Sequence, residues 1–181
     1  TDDIAALQTA QVVALTTAEL VALTTDQAQA ITTQQASALS TAQLVAIETR
    51  DIAALTSDVI AALQTAQVVV LTTAEIVALR TDQAQAITAQ QAFALTTAQV
   101  VALATDDLQV LSTAAINALS DSQVKALSTA QVQKLSTTQA AGLSAAVLKG
   151  MTTSQLVALE NADVAKLSSA ALNALSSGQL R

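Results

Sequence analysis

The sequence predicts an all-α solenoid of very short helices, one to two turns long and one per eight-residue repeat. Three observations predict it. From Leu7 to Leu175 every eighth residue is Leu, Ile or Met, 22 positions in succession without insertion or deletion. Ser or Thr recurs three residues before Gln or Glu in the same frame, the signature of a helix start. The composition is 52% hydrophobic with one aromatic residue, Phe93, three Gly and no Pro, which suits a thin, uniform core of aliphatic side chains.

With the recurrent Leu labelled a, the octad reads a to h, as in Leu15-Thr16-Thr17-Ala18-Glu19-Leu20-Val21-Ala22. Positions b and c are Ser or Thr for the most part, e is usually Gln, f is apolar, g varies and h is usually Ala. In a strand, f and the following a, three residues apart, would point to opposite faces, whereas on a helix they are neighbours. Ser or Thr at b with Gln or Glu at e forms a capping box, in which each side chain satisfies the other residue's orphan backbone N–H. Thr16 with Glu19, Ser40 with Gln43 and Ser128 with Gln131 carry it. One continuous helix fails on phase, because eight residues advance it by roughly 800° and the apolar stripe would drift by about 80° per octad. Breaks at each b/c pair restore the phase, so each helix is expected to run from c to the next a. Such helices fall short of the roughly 12 to 15 residues needed for marginal stability alone and must stack. The alternative is a β-solenoid with octads grouped into rungs. The core is expected from a, f and the Ala at h.

The whole chain, 1–181, reads as a single octad-repeat solenoid. A longer period lies above the octad: residues 4–59 match 60–115 at about 70% identity, an offset of seven octads. A third block, 116–171, has diverged but keeps marks in phase, such as Asp at e in Asp51, Asp107 and Asp163, and a partial repeat, 172–181, follows. Duplication of a block explains this by ancestry; a block equal to a whole number of solenoid turns is the structural alternative. The chain opens Thr1-Asp2-Asp3 without an initiator Met, as a processed product or a segment of a longer protein would.

The unit Leu95-Thr96-Thr97-Ala98-Gln99-Val100-Val101-Ala102-Leu103 resembles the "LTTAQVxAL" octad arrays of very large secreted or surface-associated repetitive proteins of Gram-negative bacteria. The resemblance covers essentially the whole chain. It implies an extracellular or cell-surface structural or adhesive setting and transfers no catalytic residue. The same stretch is similar to the opening helix of the DNA-reading repeats of transcription-activator-like effectors. It departs from them in repeat length, in lacking their Pro and base-reading loop, and in its acidic charge.

Several classes of chemistry lack their residues. With no His and no Cys, the usual ligands of zinc, haem and iron–sulfur sites are missing, as are imidazole and thiol catalysis. No cofactor is expected. A net charge of −7 argues against nucleic acid, and no apolar run approaches the roughly 20 residues of a membrane-spanning helix. A nucleophilic Ser would need Lys as its base, and Lys125, Lys134, Lys149 and Lys166 are spread along the chain, so no enzyme is expected. Acids recur at d and e, where they complement the positive end of a helix. The adjacent pair Asp106-Asp107 comes nearest to a calcium site, yet calcium needs six to eight converging oxygens and the expectation is no metal. Capping takes the b hydroxyls. The remaining Ser and Thr form a ladder able to order water, as an ice-binding surface would, to contact glycan or to accept O-linked sugars.

Position g changes along the chain. It is apolar at Val13, Val21, Val45, Val69, Val77, Phe93 and Val101, and mostly polar further on, as at Lys125, Gln133 and Asn173. These seven residues are either an exposed self-association stripe or partly buried in the coil. Charge is polar too: up to Leu111 eleven acids face Arg50 and Arg80, whereas three acids and five bases follow. This polarity favours head-to-tail contact, which gives filaments where it does not close. The expected function is that of an extracellular stalk, matrix or filament subunit joined end to end as a homo-oligomer. The alternative is an adhesin-like binding module for glycan or ice.

Overall fold

A computed structural model describes residues 2–159, 164–177 and 179. Asn161, Asp163 and Arg181 lie outside the described residues, as do the side chains of Asp2 and Asp3. The chain folds as two compact units, Thr1–Ala86 and Ile87–Arg181. Each is an all-α solenoid, and among the described residues no strand forms, which overturns the β-solenoid alternative. The first unit holds α1 (Asp2–Ala6), α2 (Thr9–Val13), α3 (Thr17–Val21), α4 (Thr25–Gln29), α5 (Thr33–Ala38), α6 (Thr41–Val45), α7 (Thr49–Ile52), α8 (Ser57–Ala62), α9 (Thr65–Val69), α10 (Thr73–Ala78) and α11 (Thr81–Gln85). The second holds α12 (Ala89–Ala94), α13 (Thr97–Ala102), α14 (Thr105–Val110), α15 (Thr113–Ala118), α16 (Asp121–Ala126), α17 (Thr129–Gln133), α18 (Thr137–Ala141), α19 (Ala145–Gly150), α20 (Thr153–Ala158) and α21 (Ser169–Asn173).

The octad sets each helix locally. Position b is the N-cap with extended backbone, as at Thr16 (φ −74°, ψ 159°). Its hydroxyl accepts from the backbone N–H at e while the e side chain accepts from the backbone N–H at b: 3.2 and 2.9 Å for Ser40 with Gln43, 3.1 and 2.9 Å for Ser128 with Gln131. The helix stops earlier than the sequence suggested, at g or h rather than at a, and in α7 already at f. In the longer helices the a residue is itself extended, as at Leu79 (φ −58°, ψ 139°), and donates its N–H to the f carbonyl. After the longer helices two extended residues, a and b, therefore turn the corner; no positive φ occurs anywhere among the described residues, and no left-handed Gly is required.

The coil closes through hydrogen bonds. The e glutamine accepts its capping bond through Oε1, and its Nε2 donates to two carbonyls of the preceding turn. Gln35 reaches Ile4 O and Leu7 O (2.9 and 2.8 Å), and Gln83 reaches Ile52 O and Leu55 O (3.1 and 2.7 Å). The second unit repeats this in Gln139 with Leu108 O and Leu111 O (2.9 and 2.8 Å) and in Gln155 with Val124 O and Leu127 O (both 2.7 Å). The carbonyls lie 31 and 28 residues before the amide.

Within each unit helices also stack three apart, α3 on α6 and α6 on α9, α13 on α16 and α17 on α20. Each helix thus meets those three and four before it, and a turn takes 28 residues, three and a half octads. Two turns take the 56 residues of the sequence block 4–59.

The core differs from expectation at two positions. Side chains at a and f are buried, with Leu20, Leu44, Ile52, Ile76, Leu108 and Ile116 among the most enclosed. The Ala at h, expected inside, is at most half-buried at Ala22, Ala46 and Ala102. The e residue takes the inner place: Gln35, Gln67, Gln83, Gln123 and Gln155 are buried beside the apolar e residues Val59, Ala115 and Val147. A buried amide is tolerated there because Oε1 and Nε2 are both bonded.

Gln83→Leu keeps the volume, strands the Arg80 N–H and takes the amide donor from Ile52 O and Leu55 O, so it is expected to destabilise the protein by roughly 1–3 kcal/mol in urea unfolding followed by far-UV circular dichroism. Buried Glu75 stands at e with an oxygen on the Thr72 N–H at 2.6 Å and supplies no amide donor. Glu75→Gln restores the ladder toward Leu44 O and Ile47 O and is expected to stabilise by about 1–2 kcal/mol.

Candidate interaction surface

The half-integral turn decides which octads share a side of each unit. Octads seven apart lie over one another after two turns, and those three or four apart flank them on the turn between. In the first unit this brings the octads of α2, α3, α6, α9 and α10 onto one flank. α6 stacks on α3 and on α9, and Gln43 Nε2 donates to Val13 O and Leu15 O at the end of α2 (both 2.9 Å). The flank carries Val13, Val21, Val45, Val69 and Val77 at g, between 41% and 61% exposed. At d it carries exposed Ala10, Ala18, Ala42, Ala66 and Ala74, and Thr17, Thr41, Thr65 and Thr73 at c are exposed around them. The remaining octads of this unit place exposed Asp26, Gln34, Arg50, Asp58 and Asp82 at d. One side is therefore apolar and free of charge at d and g, and the other holds the d-position charges.

The g residues singled out in the sequence are thus exposed, and five of the seven come together. In the second unit Val101 and Val157, 56 residues apart, share one flank, where Lys125 and Gln133 interrupt the apolar surface. Phe93, 65% exposed, occupies another row of that unit, two turns from Lys149. Val157 extends the apolar g pattern beyond Val101, where the sequence suggested that it ends.

The carboxylates do not converge. Asp106 is exposed whereas Asp107 is buried, so the adjacent pair faces two ways, and among the described residues no group of three potential ligands could hold a metal ion. Asp51 is fully enclosed at e, where Oδ1 accepts from the Thr25 hydroxyl of the preceding turn at 3.0 Å and Arg50 Nε lies 3.5 Å away. Its Oδ2 has no hydrogen-bond partner. Asp is one methylene shorter than the Glu that completes a capping box, and here it ties two turns together instead.

At b, Arg80 replaces the hydroxyl. Its guanidinium donates to Ala53 O and Leu55 O of the preceding turn and pairs with Asp82 at 3.0 Å, which holds the Asp82 carboxyl below its usual range. Asn117 at g ties to the following turn by both ends of its amide, donating to Gly142 O and accepting from the Ser144 N–H, each at 2.8 Å. Sequence reasoning missed these cross-turn links. The signal for the main one was present, since a capping box accepts Glu as readily as Gln and the excess of Gln at e points to a use for the amide.

A repeating coil with one uniform flank and no convergent catalytic constellation among the described residues defines a tandem-repeat α-solenoid protein. Comparison with known families matches residues 1–33, 44–81, 60–97 and 100–137 to the ALTTAQ repeat. The chain belongs to this repeat family. Comparisons with curated proteins and with solved structures gave no match. Ala94-Leu95-Thr96-Thr97-Ala98-Gln99 matches the family's name letter for letter.

The Thr16 N–H bonded to Glu19, and then the Thr16 hydroxyl, hold the Glu19 carboxyl below the usual range. A depressed folded value means that the capping contribution is present above the ordinary carboxylate range and is lost as pH falls through the folded value. An NMR titration is expected to place the Glu19 midpoint below that of an unstructured peptide. Thr16→Val, which keeps the N–H and removes the hydroxyl, is expected to raise it part of the way back.

Proposed function

We propose that this protein is a bacterial extracellular or cell-surface structural element, a stalk, matrix or filament subunit whose solenoid turns join end to end. The carrying observation is the e-glutamine ladder. A turn presents amide donors on one face and the f and a carbonyls on the other, and in each unit these faces bond where e is a buried Gln, as Gln35, Gln43 and Gln67 do in the first. The faces of a turn are therefore complementary, and octads of another copy, or further octads of the same chain, can stack by the same bonds. The charge polarity of the sequence acts in the same sense.

No catalysis is assigned. The chain lacks His and Cys, and its lysines stand in separate octads. No described helix is long and apolar enough to cross a membrane. A second reading, binding of glycan or ice, draws on one observation: the capping bonds engage the b hydroxyls, which leaves the c threonines Thr17, Thr41, Thr65 and Thr73 exposed on the flank. Replacing these four by Val would abolish glycan retention or thermal hysteresis if that reading holds.

Static light scattering over concentration and ionic strength tests end-to-end joining. The expected result is a mass that grows without limit as concentration rises and falls back as salt screens the polar ends. A monomer under every condition would defeat the proposal.

A further inference from the structure

We infer that the valine flank of the first unit is a lateral pairing surface for a second copy of this chain, in a closed dimer centred on Val45. The inference deepens the structural reading above and rests on it, adding a side-by-side contact to the end-to-end one.

The surface is smooth and apolar. Five valines, 43%, 45%, 54%, 41% and 61% exposed in chain order, stand among Ala and Thr. No long side chain projects from d or g there, so a partner can approach closely. Grouped exposed apolar side chains of this kind mark association sites.

Charge selects the occupant. The chain is acidic, with a net charge of −7, and the other octads of this unit expose Asp26, Glu48, Asp58 and Asp82 against Arg50 and Arg80, a net negative surface. Two copies meeting through those octads would oppose like charges. Through the valine flank they bury Val and Ala and leave those aspartates in water on the outer sides. Like-charge repulsion then disfavours pairing of two first units through their other sides, so the same distribution that permits this contact selects it.

Spacing points to the same partner. Val21 and Val13 lie 24 and 32 residues before Val45, and Val69 and Val77 lie 24 and 32 residues after it. The row is symmetric about Val45, so a second copy running the opposite way offers ridges of valine and grooves of alanine at matching intervals. A two-fold contact of this kind brings Val45 against the partner's Val45.

Sedimentation equilibrium of the whole chain at high ionic strength, where end-to-end joining is screened, tests the pairing. The expected result there is a closed dimer whose dissociation constant falls as salt rises further, because screening relieves the repulsion between acidic copies. Val45→Lys is expected to raise that constant tenfold or more, and Gln85→Lys, on an octad outside the flank, to leave it within about twofold. Circular dichroism confirms that each variant is folded, and Val45→Ser, matching the residue at Ser37, serves if the lysine perturbs the coil. The chain has no Cys, so Val45→Cys provides an independent readout: mild oxidation should cross-link it to itself as a dimer, and Gln85→Cys should not cross-link. Open-ended growth indifferent to Val45→Lys, with no Val45→Cys cross-link, would overturn lateral pairing and leave end-to-end joining standing. A monomer throughout would overturn both.

Discussion

The amide at e is the interaction on which the remaining structure depends. A helix of five or six residues has almost as many orphan backbone groups as bonded ones, and no such helix persists alone in water. The glutamine answers this at both ends with one planar group. Its oxygen closes the start of its own helix, and its nitrogen closes the end of a helix one turn earlier, where the f and a carbonyls of Ile52 and Leu55 receive Gln83. Local capping and long-range stacking are thereby the same event. A side chain that caps but cannot donate, such as Glu75, performs only half of it.

This bond also sets the geometry of the coil. Because the amide reaches 28 and 31 residues back, a turn spans three and a half octads and consecutive turns are offset like courses of brick. The offset lets each helix pack into the junction between two others, which gives aliphatic residues at a and f neighbours on all sides without any aromatic side chain. It also sorts the octads of a block by direction, although the core sees them as equivalent. Substitutions at d and g that look irregular along the chain become orderly round the coil: Ala with Val on one side, Asp and Gln on the other.

Much of this is legible in the residues alone. The capping boxes announce most helix starts, the three-residue step from f to a announces the core, and the phase drift of a continuous helix requires the breaks. Helix ends are less legible, because Leu at a serves equally well as a last helical residue or as an extended one, and the preference for extension comes from stacking. The burial of e is hidden for a related reason: a Gln in a capping box looks like a surface residue until a turn is laid above it. The turn length follows from a contact between residues 28 apart, and no local propensity encodes it. Asp51 shows the limit most plainly, since its partner Thr25 is an ordinary c threonine in its own octad. On the surface the sequence names the exposed valines, but only the turn length groups five of them and sets Phe93 apart.

The half-integral turn has a consequence for how such an array can change length. Inserting or deleting one octad would leave every a, e and f contact intact, since each octad fits any place in the coil. It would nevertheless rotate all following octads by two-sevenths of a turn, carrying their valines away from those before. A change of seven octads restores the direction. Folding alone tolerates arrays of any octad count, whereas a flank that faces one way within a coil admits additions only in multiples of seven, the same step as the offset of the sequence repeat.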